Sequence, residues 1–326
     1  MSRPLLLLSV ALASYAVLSS IGSLVAIAIW QSGLLSSMAS PAIRARRLVM
    51  LRALPVGAAV ALVATVVLPA FVIFEPVRAF ESVGPAFVAL ASLGGALLMS
   101  GALNAGRSAF ATWRVERAWL RSAQPLDFDP PAGVPAYAVE SFTPVIALVG
   151  VFAPKLIAAR TVLDACNPDE LANIVAHERG HLRARDNLKR WLMACAPDLL
   201  RWTPAHHAIA AAWDDAAEDA ADDVATAGTE VARLGLAALL VKVARLSAGP
   251  AFTPATISPF IERDRLDRRV RRLLSSTPGP GSSPSTVIQP LAVMAVAAAM
   301  LTVMNSSPAL KAVHEAVEVV VAFGRW

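Results

Sequence analysis

The sequence predicts a mainly α-helical membrane protein in which a polar, helix-rich domain is set between apolar spans. Three observations carry that reading. Of the 326 residues, 56% are hydrophobic and 16% charged, with a mean hydropathy of +0.58, whereas an ordinary soluble domain has about 25% charged residues. Of the 24 acidic residues, 20 lie between Arg107 and Thr286, so the flanks are nearly bare of them. Charge-free stretches of spanning length recur on both sides of that segment. The net charge of +5 and pI near 9.8 do not point to nucleic acid. The arginines cluster beside apolar stretches, where retention on the cytoplasmic face accounts for them.

Taken in order, residues 4–43 carry no charge. Their apolar part, 5–30, is long enough to span, since about 20 residues cross the roughly 30 Å hydrocarbon core. Arg3 before a leucine run leaves a cleaved signal peptide as the alternative, but the stretch exceeds the usual apolar region of one. Arg44, Arg46, Arg47 and Arg52 follow, then a second charge-free span at 53–74. After a loop with Glu75, Arg78 and Glu81 comes a third at 82–106, followed by Arg107, Arg114, Arg117 and Arg121. Basic, poorly basic and basic loops alternate. This places the N-terminus outside, and the first loop and the segment after Arg107 in the cytoplasm of a plasma-membrane protein.

Residues 107–121 should continue the third helix, and Pro125, Pro130, Pro131 and Pro135 mark a linker. Residues 145–152 and 156–159 read as strands. Residues 188–213 read as helix interrupted at Pro197 and Pro204, with Trp191, Trp202 and Trp213 suited either to the membrane interface or to a core. Helices are expected at 205–227 and 231–246, a strongly basic stretch at 262–274 and a Pro/Gly/Ser linker at 277–286. Residues 287–304 form a fourth charge-free span, running from inside to outside. The tail reads as an amphipathic interfacial helix with His314 as a surface histidine. The expected organisation is therefore 1–106 (three spans), 107–286 (cytoplasmic domain), 287–304 (fourth span) and 305–326 (short extracytoplasmic tail). Cys166 and Cys195 fit free thiols rather than a disulfide scaffold.

The chemistry is concentrated in NPDELANIVAHERGHLRARDN, residues 167–187. Asn167 suits a helix cap, Pro168 the first position, and Glu170 the reciprocal capping contact. Leu171, Ile174 and Val175 supply an apolar face. His177-Glu178-Arg179-Gly180-His181 is an H-E-x-x-H motif, which this composition would produce by chance in roughly 0.3% of chains this long. On a helix His181 falls about 40° round from His177, and Glu178 about 100°. Two imidazoles can then share one zinc ion, with a carboxylate beside the position where water would bind.

A catalytic zinc site needs a third protein ligand. Glu218, in E-D-A-A-D-D, is the stronger candidate, with His206 or His207 next. Asp222 lies one turn beyond Glu218, placed to hold a ligand imidazole through its second nitrogen. Ala217, Ala221 and Ala225 would let that helix approach closely. Asp214, Asp215, Asp219 and Asp223 read as surface charge.

Residues 145–187 resemble the BlaR/MecR-type membrane zinc metallopeptidases of the beta-lactam and methicillin-resistance sensors. Pro144, Gly150 and Pro154 carry the likeness before the motif; Asp186, Asn187, Trp202-Thr203-Pro204 and the E-x-x-x-D of Glu218 and Asp222 carry it after. The resemblance implies a zincin-like (gluzincin) fold with a small β-sheet and one zinc ion on His177, His181 and Glu218. It implies Glu178 as the catalytic base, and regulatory cleavage of a cytoplasmic protein such as a transcriptional repressor. It differs in having only a short tail where the sensors carry a penicillin-binding domain. Two other readings remain. One is a quality-control or processing peptidase resembling the HtpX and CAAX enzymes, which usually have membrane segments between the two motifs. The other is a non-catalytic membrane transducer that signals by contact.

Overall fold

The computed structural model describes residues 2–33, 35, 40–75, 83–126, 133–140, 146–246, 257–259, 263–275 and 306–322. The expected fourth span at 287–304 and the linker at 277–286 lie outside the described residues.

Three helical segments are long and apolar enough to cross a membrane: Arg3–Gln31, Pro41–Phe74 and Pro85–Leu120. The first is α1. The second is built from α2 (Pro41–Leu62), a π turn (Val63–Val67) and α3 (Leu68–Phe74). Pro69 explains the interruption. It has no N–H to donate and its ring crowds the carbonyl four residues back, so the turn before it widens. The third, α4 (Pro85–Leu120), has 36 residues, about 54 Å at 1.5 Å per residue, well beyond the roughly 30 Å hydrocarbon core. The small residues on α4 let α1 lie against it: a Cβ on Gly94 would sit 2.1 Å from the Leu12 carbonyl oxygen.

The overhang of α4 carries the structure into the polar half. Val115, Trp119 and Leu120 cover one face of the sheet at Val139, Ala147, Val149 and Ile157. The sheet has the order β1-β2-β4-β3-β5, from β1 (Gln124–Pro125), β2 (Ala136–Val139), β3 (Ile146–Val149), β4 (Lys155–Ala159) and β5 (Ile257–Pro259). Only β2 and β4 run parallel. Both β3 and β4 lie inside the sheet. The β3 edge is taken by β5, with Leu148 opposite Ser258.

The other face packs on helices. Ile146, Leu148, Leu156 and Ala158 join Ile174, Leu236, Leu240 and Val243 in one core. These helices are α5 (Arg160–Ala165), α6 (Pro168–Ala184), α7 (Asp186–Cys195), α8 (Pro204–Thr226), α9 (Glu230–Leu246) and α10 (Arg263–Ser275). A 3₁₀ turn, Leu199–Trp202, links α7 to α8. Trp213 is fully buried with Ala26, Leu48, Leu51 and Ile209, so it is core and not an interface anchor. Trp202 is exposed.

Arg52 is a correction to the sequence reading. The sequence read it as one of several retention charges, but its side chain is fully buried against Asp198 at 2.6 Å. Its Nε also donates to His206 Nδ1 at 3.0 Å, and Tyr15 donates its hydroxyl to the Pro197 carbonyl at 2.6 Å. Spans one and two therefore grip the segment between α7 and α8. At the far end of the bundle lies α11 (Ser307–Ala322), the expected amphipathic tail. Its Val313, Val317 and Val321 are packed with Leu6, Val10, Phe71 and Phe87.

Candidate metal centre

The site begins with how α6 starts. Asn167 Oδ1 accepts from the Glu170 N–H at 2.9 Å and Glu170 Oε2 accepts from the Asn167 N–H at 2.8 Å, completing the reciprocal cap. Ile174 and Leu171 then turn one side of α6 toward the sheet. His177 and His181 are left facing α8, with Glu178 beside them near the Leu148 backbone of β3, and all three are buried.

The two helices come together because small residues meet between them. A Cβ on Gly180 would lie 3.0 Å from the Ala221 Cα and 3.3 Å from its Cβ. That approach brings Glu218 to the histidines. His177 Nε2 and His181 Nε2 are 3.1 Å apart, and each is 3.5 Å from a Glu218 oxygen. Ligands held about 2.0–2.1 Å from a tetrahedral zinc stand about 3.3–3.4 Å from one another. His177 Nε2 faces Oε2 and His181 Nε2 faces Oε1, so the Glu218 carboxylate meets the pair through both oxygens, and the three residues together could hold a metal ion.

Each imidazole is fixed from behind. His177 Nδ1 faces Asp222 Oδ1 at 3.1 Å, and His181 Nδ1 faces Asp186 Oδ2 at 2.8 Å. A carboxylate on Nδ1 sets the tautomer that leaves Nε2 with its lone pair toward the shared centre. Asp186 reaches His181 because Arg185 takes a left-handed conformation, φ 55°, which ends α6 and folds α7 back. Asn187 ties the same turn to the sheet, donating from Nδ2 to the Leu148 and Gly150 carbonyls, each at 3.0 Å.

A third support comes from α10. Arg269 grips Asp222 with Nε and Nη2, at 3.0 and 2.6 Å, and Nη1 lies 3.0 Å from Glu218 Oε2. Four acidic residues expected as surface charge also meet this helix or α7. Asp219 is buried and receives Arg268 at 2.6 Å. Asp215 lies 3.4 Å from Arg265, Asp214 3.0 Å from Arg190, and Asp223 2.5 Å from Arg272. The basic stretch thus pairs with the acidic face of α8.

Electrostatics follow from this packing. Burial opposes ionisation of Glu218, but Arg269 and then His181 outweigh it and hold the carboxyl well below its usual range. Asp222 is likewise lowered to about 2, since Arg269 and His177 overcome its burial. Burial disfavours the charged form of His181, yet Glu218 and Asp186 raise it to about 10. The cluster therefore gathers three carboxylates, Glu218, Asp222 and Asp186, and two imidazoles around a point that favours positive charge. Glu178 differs. Burial pushes it up to about 7, against the two nearby histidines, with Glu218 adding to the rise.

The site opens beside His181 into a cavity of about 350 Å³ lined by Leu148, Gly150, Phe152, Pro154, Asp186 and Asn187. His206 is outside the cluster. Burial and then Arg52 lower it to about 4, so it stays neutral and accepts from Arg52. His207 packs edge-on against it. Among the described residues, neither belongs to the group that could hold the metal.

The structure brings His177, Glu178, His181, Glu218 and Asp222 together. It adds Arg269 and Asp186, to which the sequence gave no role. Asp186 has a local signal, a carboxylate five residues after the second histidine; Arg269 has none.

Residues 141–273 match the family model described as BlaR1 peptidase M56. Over that segment the chain is similar to the BlaR1-type peptidases. Comparison with curated proteins and with solved structures gives no match.

Proposed function

We propose that the protein is a membrane zinc metalloendopeptidase with one zinc ion on His177, His181 and Glu218 and with Glu178 as general base. The observation that carries this is the pair of buried Nε2 atoms 3.1 Å apart, each 3.5 Å from one of the two Glu218 oxygens, with each imidazole backed by a carboxylate. Two imidazole nitrogens and a carboxylate in that spacing suit zinc among the common divalent ions. When bound, zinc would polarise a peptide carbonyl and acidify a neighbouring water.

The chain supplies the rest. Glu178 stands one residue past His177 on the same side of α6, buried, with its affinity for protons raised into the neutral range. A base so tuned can take a proton from the attacking water and pass it to the departing amine. Asp222 and Asp186 keep the imidazoles from turning, and Arg269 keeps Asp222 and Glu218 ionised. The cavity beside His181 gives the substrate backbone its approach.

The centre faces the cytoplasm in this reading, on the side where Arg44, Arg46, Arg47 and the arginines after Arg107 accumulate. Its task is regulatory proteolysis of a cytoplasmic protein, such as a transcriptional repressor. The alternative of the HtpX and CAAX type is less well supported. Among the described residues the three candidate spans all precede His177, and α7 has only 10 residues.

Glu178→Gln keeps the shape and removes the base. It should lower peptide hydrolysis by roughly 10²–10⁴-fold, with bound metal retained. Hydrolysis and cellular phenotype equal to the wild type would favour the non-catalytic transducer instead.

A further inference from the structure

The connection from α7 to α8 reaches into the apolar part of the bundle. A Cβ on Gly101 of α4 would lie 2.7 Å from the Pro197 Cβ and 2.8 Å from the Cys195 carbonyl oxygen. Gly101 stands six residues before Arg107, about 9 Å inside the charge-free stretch 82–106. Leu199 packs with Tyr15, Ala59, Val63 and Leu97, which come from all three candidate spans.

The backbone of this connection suits that depth. Non-helical backbone is tolerated among spans only where protein satisfies its polar groups. The Tyr15 hydroxyl donates to the Pro197 carbonyl at 2.6 Å, and the Asp198 N–H to the Ala196 carbonyl at 3.1 Å. Asp198 Oδ1 accepts from the Arg201 N–H at 3.3 Å, and the Leu200 carbonyl from the Thr203 N–H at 3.0 Å.

The outer side of the same region is apolar. Leu192 on α7 is 52% exposed, Trp202 60%, and Phe152 in the β3–β4 loop 81%. The Phe152 ring stands edge-on to Trp191 of α7, 5.8 Å away. We propose that Leu192, Trp202 and Phe152 form a lipid-contact face on which the polar domain rests in the bilayer interface. Continuity with the spans selects lipid over a protein partner. The backbone that carries Leu192 and Trp202 is anchored at Gly101, Tyr15 and Leu97, so their exposed sides leave the bundle where lipid surrounds it. Tryptophan is also the side chain most at home at headgroup level.

The contact sets where the metal centre stands. Helix α7 starts at Asp186, the partner of His181, and ends at Cys195 against Gly101. Its 10 residues cover about 15 Å. Phe152 also lines the cavity beside His181. The cavity therefore opens at the bilayer surface. The lipid contact rests on the three spans and is independent of the peptidase reading.

The test places single cysteines, Leu192→Cys, Trp202→Cys or Phe152→Cys, in the full-length protein in lipid nanodiscs. Each carries a nitroxide label, read by collision with oxygen, which favours lipid, or with a nickel chelate, which favours water. Cys166 and Cys195 are buried and stay in place, and the parent protein sets the background. Leu24→Cys, 68% exposed on α1, is the lipid reference. Val231→Cys, 83% exposed on α9 at the sheet face away from α4, is the aqueous reference. The oxygen-to-nickel ratio at 192 and 202 should approach that of Leu24→Cys, with 152 between the references. Ratios at 192 and 202 equal to Val231→Cys would overturn the proposal. Protection from both reagents would also overturn it, and would point to a protein on this face. Should a variant lose the parent's Tm, a photoactivatable lipid puts the same question to the unsubstituted protein. It should label the peptide holding Trp202 and spare the one holding Val231; equal labelling, or none at Trp202, would overturn the contact.

Discussion

Asp222 and Asp186 hold the far nitrogens of His177 and His181. The account predicts that Asp222→Asn, or Arg269→Ala behind it, lowers zinc affinity about 10–100-fold, measured by competition with a chromophoric chelator. Unchanged affinity in Arg269→Ala would show that the α10 arginine does not position the ligands. The cap of α6 is a separate matter of stability. Asn167→Ala should cost about 1 kcal/mol, read from thermal unfolding. Glu170 adds a pH dependence. Its bond to Lys242, then its cap contact with Asn167, lower its folded pKa below the ordinary 4.5. Its contribution is therefore complete above that value and fades as pH falls through the lowered one. Glu170→Gln should flatten the stability profile on the acid side of pH 4.5; an unaltered profile there would contradict the assignment. At this scale the sequence was legible wherever partners lie within a turn or two. The cap, the H-E-x-x-H pair, and Asp222 one turn from Glu218 all follow from helix spacing. Arg269 was not, because it meets Asp222 across 47 positions, with no period to announce the contact.

Between elements, the decisive contact is α6 against α8, where Gly180 meets Ala221. Gly180→Val should push α8 away, lower zinc affinity at least tenfold and leave helix content unchanged by circular dichroism. Full zinc binding in that variant would mean that Glu218 does not depend on the close approach. The small residues Ala217, Ala221 and Ala225 foretold this packing, since only small side chains permit it. The three described helices long and apolar enough to span were legible for a different reason, the cost of charge in hydrocarbon. The π turn follows from Pro69 once the helix is known to continue through it. The sheet was legible only in part. β3 and β4 are short apolar runs, but β5 is three residues, Ile257–Pro259, supplied from far along the chain. Nothing in so short a segment marks which strand edge it will cover.

For the whole molecule, the peptidase half is locked to the membrane half through Arg52, Asp198, His206 and Tyr15. Asp198→Ala would leave the Arg52 charge buried and unpaired, and should destabilise the protein by about 3–5 kcal/mol, measured by thermal unfolding in detergent. A change below about 1 kcal/mol would mean that the clasp does not hold the two halves together. The packing of Leu200 and Trp213 on Ala26, Leu48 and Leu51 draws the α7–α8 segment toward the end of the bundle where α1 ends. A topology reporter fused near Pro197 should therefore report the same compartment as one fused after Gln31. Opposite compartments would contradict the packing of Leu200 and Trp213 on Ala26, Leu48 and Leu51. The sequence showed Arg52 as one charge in a basic cluster, and its partner lies 146 residues away. The clasp is thus a product of tertiary structure alone.

The measurement that tests the central claim most directly is the zinc content of the detergent-purified protein, wild type against His177→Ala, Glu218→Ala and Glu178→Gln. The account predicts that one zinc equivalent present in the wild type is missing from both ligand variants and kept in Glu178→Gln. Zinc retained without Glu218, or no zinc in the reconstituted wild type, would contradict it.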